Sequence, residues 1–566
     1  MSALEEKARQ LVAEERARLR RVSGLAEIHH FRRPQERPFL AEERDRVTIL
    51  FGGLTSKHEA LIRAVFLGNG YRCETLPNPD AAAFQLGRQF GNHGQCNPAH
   101  FTVGSLIQYL QALEQRGMSR REIVDRYVFF TASSCGPCRF GMYEAEFRYA
   151  LQNAGFEGFR VLLFQQSDGI KAASSEPGLK FTLNFGMGML NALHLGDVMH
   201  DLIYQIRPFE VNAGETERVF EGAMNELCRM LRDRRPFEFM RDGPKWLTRF
   251  AANKNVLRNT ISIIAKVYDH LYGREYVDAL AACREQVNSI EVDRLKVKPV
   301  VKVTGEFWAQ TTEGDGNFRI FPFLESEGAQ VIVEPIATWI TYMLHMARLR
   351  KESRKGFDSG ALKSRKQMLM LDLGETLWTY FYHRTARKLG GIAHHLAPQE
   401  ELSNLAHPYY HRLTRGGEGY MEVGKNAYYS THQLCHMVLA LKPFGCMPSC
   451  QSDGIQSAVT NRFPNMIFLP IETSGEGELN AHSRVQMALG EAKARARAEF
   501  EAVLKSTGKR LDEIRSYVAD HPELQQPFYR VPRRLGIAGT AAQFVLHVND
   551  RINAGRRLQW FVRTRL

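Results

Sequence analysis

No run of about 18 apolar residues occurs anywhere in this 566-residue chain, so no segment is suited to span a bilayer as a helix. The amino terminus, MSALEEKARQLVAEERARLRRV, carries charge where a secretory signal has its apolar stretch, and a cytoplasmic location is expected. Also missing are a repeat at solenoid period, a long low-complexity tract, and the spacings of zinc fingers, helix-turn-helix units or basic zippers. The formal net charge of +13 is therefore not read as a nucleic-acid signature. Its basic runs, Arg348 to Lys355, Arg530 to Arg534 and Arg556 to Arg565, are scattered as on solvated faces, and they leave room for an acidic protein partner or a phosphate-bearing ligand. Neither a Walker-type glycine loop, nor a Ser-His-Asp pattern, nor a zinc-protease helix is found. NFGMGMLNAL (Asn184 to Leu193) holds only a fragment of a glycine-rich pattern and reads as the closely packed start of a helix.

Cysteine is sparse, at nine residues, and without an export signal these are expected as free thiols or metal ligands rather than a disulfide framework. The chain is too long for one core, and at roughly 100–200 residues per domain it should hold three or four. From residue 46 short β-branched or aromatic runs alternate with amphipathic segments, the pattern of parallel α/β sheets. VTILFGG, YVFFTA and RVLLFQ read as strands of a first α/β domain over 46–200, after a charged helical extension over 1–45. Residues 201–295 read as a helical connector. A second α/β region over 296–480 opens with KPVVKVTGEFWAQ, carries a polar helical insertion at about 340–405, and resumes with HMVLALKPFG and MIFLPIE. A helical tail over 481–566 completes the chain. The fold class is thus two tandem parallel-sheet domains of Rossmann or flavodoxin type.

Ligands of open parallel sheets bind at the carboxyl ends of strands, and five cysteines fall at such ends or at neighbouring helix starts. Cys135 and Cys138 follow a strand directly in TASSCGPCRFGMY. Cys446 ends MVLALKPFGC, with Cys450 one turn later, and Cys96 precedes the helix of CNPAHFTVGSLIQYLQAL. Cys73, Cys228 and Cys283 lie inside a strand or helices and read as buried small hydrophobes. Cys435 stands at the other end of the strand that reaches Cys446, more than about 20 Å away at roughly 3.3 Å per residue. CGPC alone is compatible with a redox dithiol, with part of a zinc site, or with two ligands of an iron–sulfur cluster.

Taken together, CGPCRFGMY, KPFGCMPSCQSDGIQ, CNPAHFTVGSL and VTGEFWAQTTEGDGNF resemble the 2-hydroxyacyl-CoA dehydratase and benzoyl-CoA reductase superfamily. The closest likeness is to the dehydratase-like region of acyl-CoA dehydratase activase-related proteins, over about residues 46–480. The resemblance implies a [4Fe–4S] or double-cubane cluster between the α/β domains, with Cys96, Cys135, Cys138 and Cys446 as ligands. It also implies low-potential electrons delivered by a separate ATPase activator protein, and reduction or dehydration of a small activated substrate such as an acyl-CoA. Glu306 and Asn317 match family positions without an assigned chemistry. Cys450 stands where a hydroxyl residue is expected and is a fifth candidate ligand. Four thiolates would close a cluster into an electron relay, whereas three would leave an iron open to substrate.

Nearby, His93, His100, His411 and His482 are candidate proton carriers, and Arg139 could balance cluster charge. Two other readings stand beside this oxidoreductase. One is a thiol–disulfide enzyme using Cys135 and Cys138. The other is a non-catalytic, cluster-carrying accessory subunit that docks through its basic charge and a detachable helical tail. Association into a homo-oligomer is left open.

Overall fold

TILF, with no polar alternation, is stable as a strand only where helices cover both faces of its sheet. In the computed structural model it forms β1 (Thr48–Phe51), buried at every position. The structure describes residues 36–133, 138–165, 178–253, 255–355, 361–414 and 416–565, with scattered helical positions between Glu6 and Arg18. The charged extension expected over 1–45 therefore falls largely outside the described residues. Met1–Glu36 form one unit, and Arg37–Leu566 a second that holds both sheets.

The first sheet adds α1 (Ser56–Gly68), capped by the Thr55 hydroxyl, then β2 (Arg72–Thr75), α2 (Ala81–Phe90) and α3 (Asn97–Gln115). β3 (Tyr127–Ser133), α4 (Tyr143–Asn153) and β4 (Arg160–Gln165) complete it. All its strands are parallel, in the order β2-β1-β3-β4. α5 (Leu183–Ile206) follows and crosses the boundary expected at residue 200. Its glycine-rich start is the close-packed helix that the sequence suggests: a Cβ on Gly188 would stand 3.0 Å from Val65 of α1. The helical stretch beyond includes α6 (Glu215–Asp233), α7 (Asn255–Tyr272) and α8 (Arg274–Asn288).

The second sheet repeats the topology, with order β6-β5-β7-β8 and all pairs parallel. β5 (Val300–Gly305) leads into the short α9 (Phe307–Thr311) and on to β6 (Gln330–Ile332). The polar insertion supplies α10 (Ile336–Ser353), α11 (Ala361–Lys388) and α12 (Gln399–Ala406), before α13 (Tyr420–Thr431) returns to the sheet. β7 (Met437–Pro443), α14 (Met447–Arg462) and β8 (Ile467–Thr473) follow. The architecture is α/β with two tandem flavodoxin-like sheets.

One buried cluster takes in Ile49 of β1, Leu195 and Leu202 of α5, and Val301 and Val303 of β5. Asp197 of α5 ties the two sheets further. Its carboxylate meets His58 Nε2 of α1 at 3.1 Å and accepts the Ile336 and Ala337 N–H groups at the start of α10, at 2.6 and 2.8 Å. The tail comprises α15 (Glu478–Ser506), α16 (Leu511–Ala519) and α17 (Thr540–Arg565). It is not detachable: Val485, Leu489 and Ala492 of α15 belong to the main core, and Arg294 holds the carbonyls of Leu524, Gln526 and Pro527. The sequence misleads here because the amphipathic pattern of α15 tells that a face is buried but not against what.

Candidate cysteine site at the junction of the two sheets

In each sheet the chain order reverses between the first strand and the third, which opens a crevice beyond their carboxyl ends. The two crevices face each other. Thr311, after β5, donates to the Gly53 carbonyl after β1 at 3.4 Å, and the Asp315 N–H reaches the Pro79 carbonyl at 3.1 Å. Phe84 and Phe101 of the first sheet's helices cluster with Trp308 of α9, the rings tilted to one another, into a small apolar seal.

Cys96 and Cys446 meet across this junction. Each is the N-cap of a helix, α3 and α14, with a proline two residues on and an extended backbone of its own. The Asn97 N–H donates to the Phe444 carbonyl at 2.9 Å, so the two cysteine loops are hydrogen-bonded to each other. Gly445 has φ +72°, and a Cβ there would stand 3.3 Å from Cys96 Cα, so this approach requires glycine. Both thiols are buried, at 6% exposure.

Cys138 joins from the first sheet. It caps the 3-10 turn Arg139–Met142, with its sulfur accepting the Phe140 N–H at 3.5 Å. Tyr143 follows that turn, and its hydroxyl lies 3.0 Å from Cys96 Sγ. All three thiols therefore sit at helix starts, where N–H groups lack intrahelical partners. Cys135 lies in 134–137, outside the described residues. Cys450 is one turn into α14 and exposed. Among the described residues no group of three or more His, Cys, Asp or Glu is close enough together to hold a single metal ion.

Two carboxylates share the site. Glu306, at the end of β5, caps α9 by accepting the Ala309 N–H at 2.9 Å. Glu418 accepts the Phe307 N–H at 2.6 Å, while its second oxygen is buried without a partner among the described residues. Burial, opposed by N–H bonds, pushes Glu306 up to about 7. Burial, then the charges of Glu306 and Glu422, pushes Glu418 up to about 8. The thiols feel the same field. Burial is the main cause that drives Cys138 up to about 12, with Glu306 and Glu418 adding to it, and it raises Cys446 and Cys96 too. Arg139 works the other way on Cys96. Behind the pair, Lys442 of β7 neutralises Glu422, which also accepts the Ser452 hydroxyl at 2.6 Å.

The raised carboxyl of Glu418 sets a testable pH dependence. Its folded pKa of about 8 lies above the ordinary 4.5, so the folded state binds more protons between those values and stability falls as pH rises through that window. Glu418→Gln keeps the neutral form at all pH. In metal-free protein it should raise the stability at pH 9 and leave it nearly unchanged at pH 5. Urea midpoints at the two pH values check this, and an equal effect at both would refute it.

The remaining sequence candidates fall elsewhere. Cys435 is buried with Val300, Ile332 and Val438 at the amino ends of the strands, as its position before β7 implies. Cys73 and Cys283 are buried in the main core, and Cys228 packs against it. Asn317 holds its loop, donating to the carbonyls of Ala309 and Thr312. His100 packs edge-on to Phe84, and His482 stacks on Phe323 while bonding the Phe318 carbonyl at 2.7 Å. His93 and His411 are exposed. Among the described residues no hydrogen bond joins any of these four histidines to a cysteine, Glu306 or Glu418.

Glu418 was not visible as a candidate in the sequence. A signal existed in GGEGY, where Gly416, Gly417 and Gly419 all have positive φ around one acid. A Cβ on Gly417 would stand 2.6 Å from Pro448, so these glycines let the loop pass directly behind Cys446.

No protein-family model matches this sequence, and no curated protein is detectably similar to it.

Proposed function

We propose that this chain is an iron–sulfur protein of the 2-hydroxyacyl-CoA dehydratase type, which uses or relays low-potential electrons to reduce or dehydrate a small activated substrate. The observation that carries this reading is the hydrogen-bonded meeting of the Cys96 and Cys446 loops between two sheets, with Cys138 joined to them through Tyr143. Thiolates from separated loops, shielded at a domain junction, are the donor set that suits such a cluster. Cys96, Cys138 and Cys446 would hold it, together with Cys135 by the sequence pattern. When bound, it would supply the electron.

The chain's own groups then have distinct tasks. Trp308, Phe84 and Phe101 keep water from one side of the junction. Glu306 and Glu418, with pKa values raised close to neutrality, retain protons beside the thiols and would deliver them to a substrate atom that has gained charge. Tyr143 steadies the Cys96 sulfur through its hydroxyl. An ATPase activator remains a separate partner in this reading, and an acyl-CoA is one substrate that would suit it.

A dithiol oxidoreductase works through a thiol made acidic. In Cys-Gly-Pro-Cys that thiol is the first, Cys135, which lies outside the described residues, so iron content is what separates the two readings. The test is iron and sulfide analysis of anaerobically purified full-length protein, with electron paramagnetic resonance after dithionite reduction. About four irons per chain supports one cubane and about eight supports two. A preparation that holds no iron after anaerobic reconstitution sinks the proposal.

A further inference from the structure

Apart from Cys96, Cys138 and Cys446, none of which lines it, a cavity of about 770 Å³ lies along β6, the edge strand of the second sheet. β5 and β6, the end of α13, the loop before α12 and residues of the tail enclose it. Its lining begins at Val300 and Gln330, the first residues of β5 and β6, and runs along β6 to Glu334 and Pro335.

The charge of its wall is one-sided. Lys302 interrupts the buried strand VVKVTG, is fully buried, and pairs with Glu334 at 2.7 Å. Glu334 is already shared with a second buried ammonium, Lys425 at 3.3 Å. Arg294 lines the cavity with its guanidinium held by three backbone carbonyls and no carboxylate. Arg530 and Arg533 line the cavity from the tail side; Arg533 donates to the Leu434 carbonyl at 3.3 Å, and among the described residues neither arginine is paired with a carboxylate. Glu334 is the single carboxylate among the described lining residues. Arg294, Lys302, Arg530 and Arg533 thus line a wall whose one carboxylate, Glu334, is already taken by Lys302 and Lys425, which leaves the two tail arginines uncompensated.

The shape adds to the charge. Tyr428, Tyr429 and Tyr529 provide ring surface, and the volume lies within the range of sites that enclose a whole small molecule. We propose that this cavity binds a phosphorylated small molecule of nucleotide size, its phosphates held by Arg530 and Arg533 and its ring by the tyrosines. Guanidinium forks match phosphate oxygens in pairs, and a multiply charged phosphate offsets several cations where one carboxylate cannot.

The site does not depend on the cysteine reading, and its test needs no iron. Full-length protein is titrated calorimetrically with ADP and, separately, with inorganic pyrophosphate, at low salt and at about 0.15 M salt. The expected result is one ADP per chain, weakened by salt, and at least tenfold weaker binding in the Arg530→Gln/Arg533→Gln double variant. Both arginines are exposed, so that variant should melt as the parent does; if it does not, Arg533→Glu alone takes its place with the same expected loss. Pyrophosphate should bind more weakly than ADP and respond to the same substitutions. Absence of binding by both probes at millimolar concentration overturns the site, as does unchanged ADP affinity in a folded variant. Pyrophosphate binding as tight as ADP would overturn the nucleotide assignment.

Discussion

Cys446→Ser should reduce the iron of anaerobically prepared protein from about four per chain to below about one. Cys446 is the second sheet's thiol at the junction, because its loop bonds to that of Cys96 and its helix starts there. Serine preserves size and the N-cap role, and serine is the better cap of the two. What it removes is the soft thiolate donor that cluster irons require. Cys228→Ser, on α6 and packed against the main core, is the matched control and should keep its iron. The measurement is iron and sulfide per chain, read beside the visible absorption of both variants. Full iron in the Cys446 variant, or loss in the Cys228 variant, would show that these loops do not form the binding pocket.

The largest stability effect is expected at Glu334, away from the cysteines. Burial raises its carboxyl, but Lys302 and Lys425 outweigh that and hold it down to about 2. Glu334→Gln leaves two ammonium groups buried under α13 without a counter-charge. Breaking a buried pair in this way costs about 3–5 kcal/mol, more than the pair itself contributes, because the partners remain desolvated. The pH dependence has a definite sign. A folded pKa below the ordinary 4.5 means that the unfolded state binds more protons in acid, so this stabilisation is complete above about 4.5 and is lost as pH falls towards about 2. Urea midpoints at pH 7 and pH 3 should differ less in the variant than in the parent. An unchanged midpoint at pH 7 would mean that the lysines find another partner or give up their protons.

Glu334 also marks how far a single sequence can be read. VVKVTG was legible as the opening of the second α/β region, but the acid that receives its Lys302 lies 32 residues on, and the second lysine on that acid 123 residues on. Hydrophobic period locates an element and its covered face. It carries no information about which other element covers it. For the same reason the tail was legible as helices and misjudged as detachable, and Glu418 passed unnoticed in a glycine-rich loop.

By itself the sequence determined the alternation of buried strands with helices, the placement of Cys96, Cys138 and Cys446 at element ends, and the core character of Cys73 and Cys283. These are local matters, set by backbone preference and by the period of apolar residues. Only the tertiary structure decided that the two crevices face each other, that Gly445 admits Cys96, and that Glu306 and Glu418 share one site. Such meetings depend on contacts between residues hundreds of positions apart, and those follow from how whole sheets and helices pack rather than from any local preference.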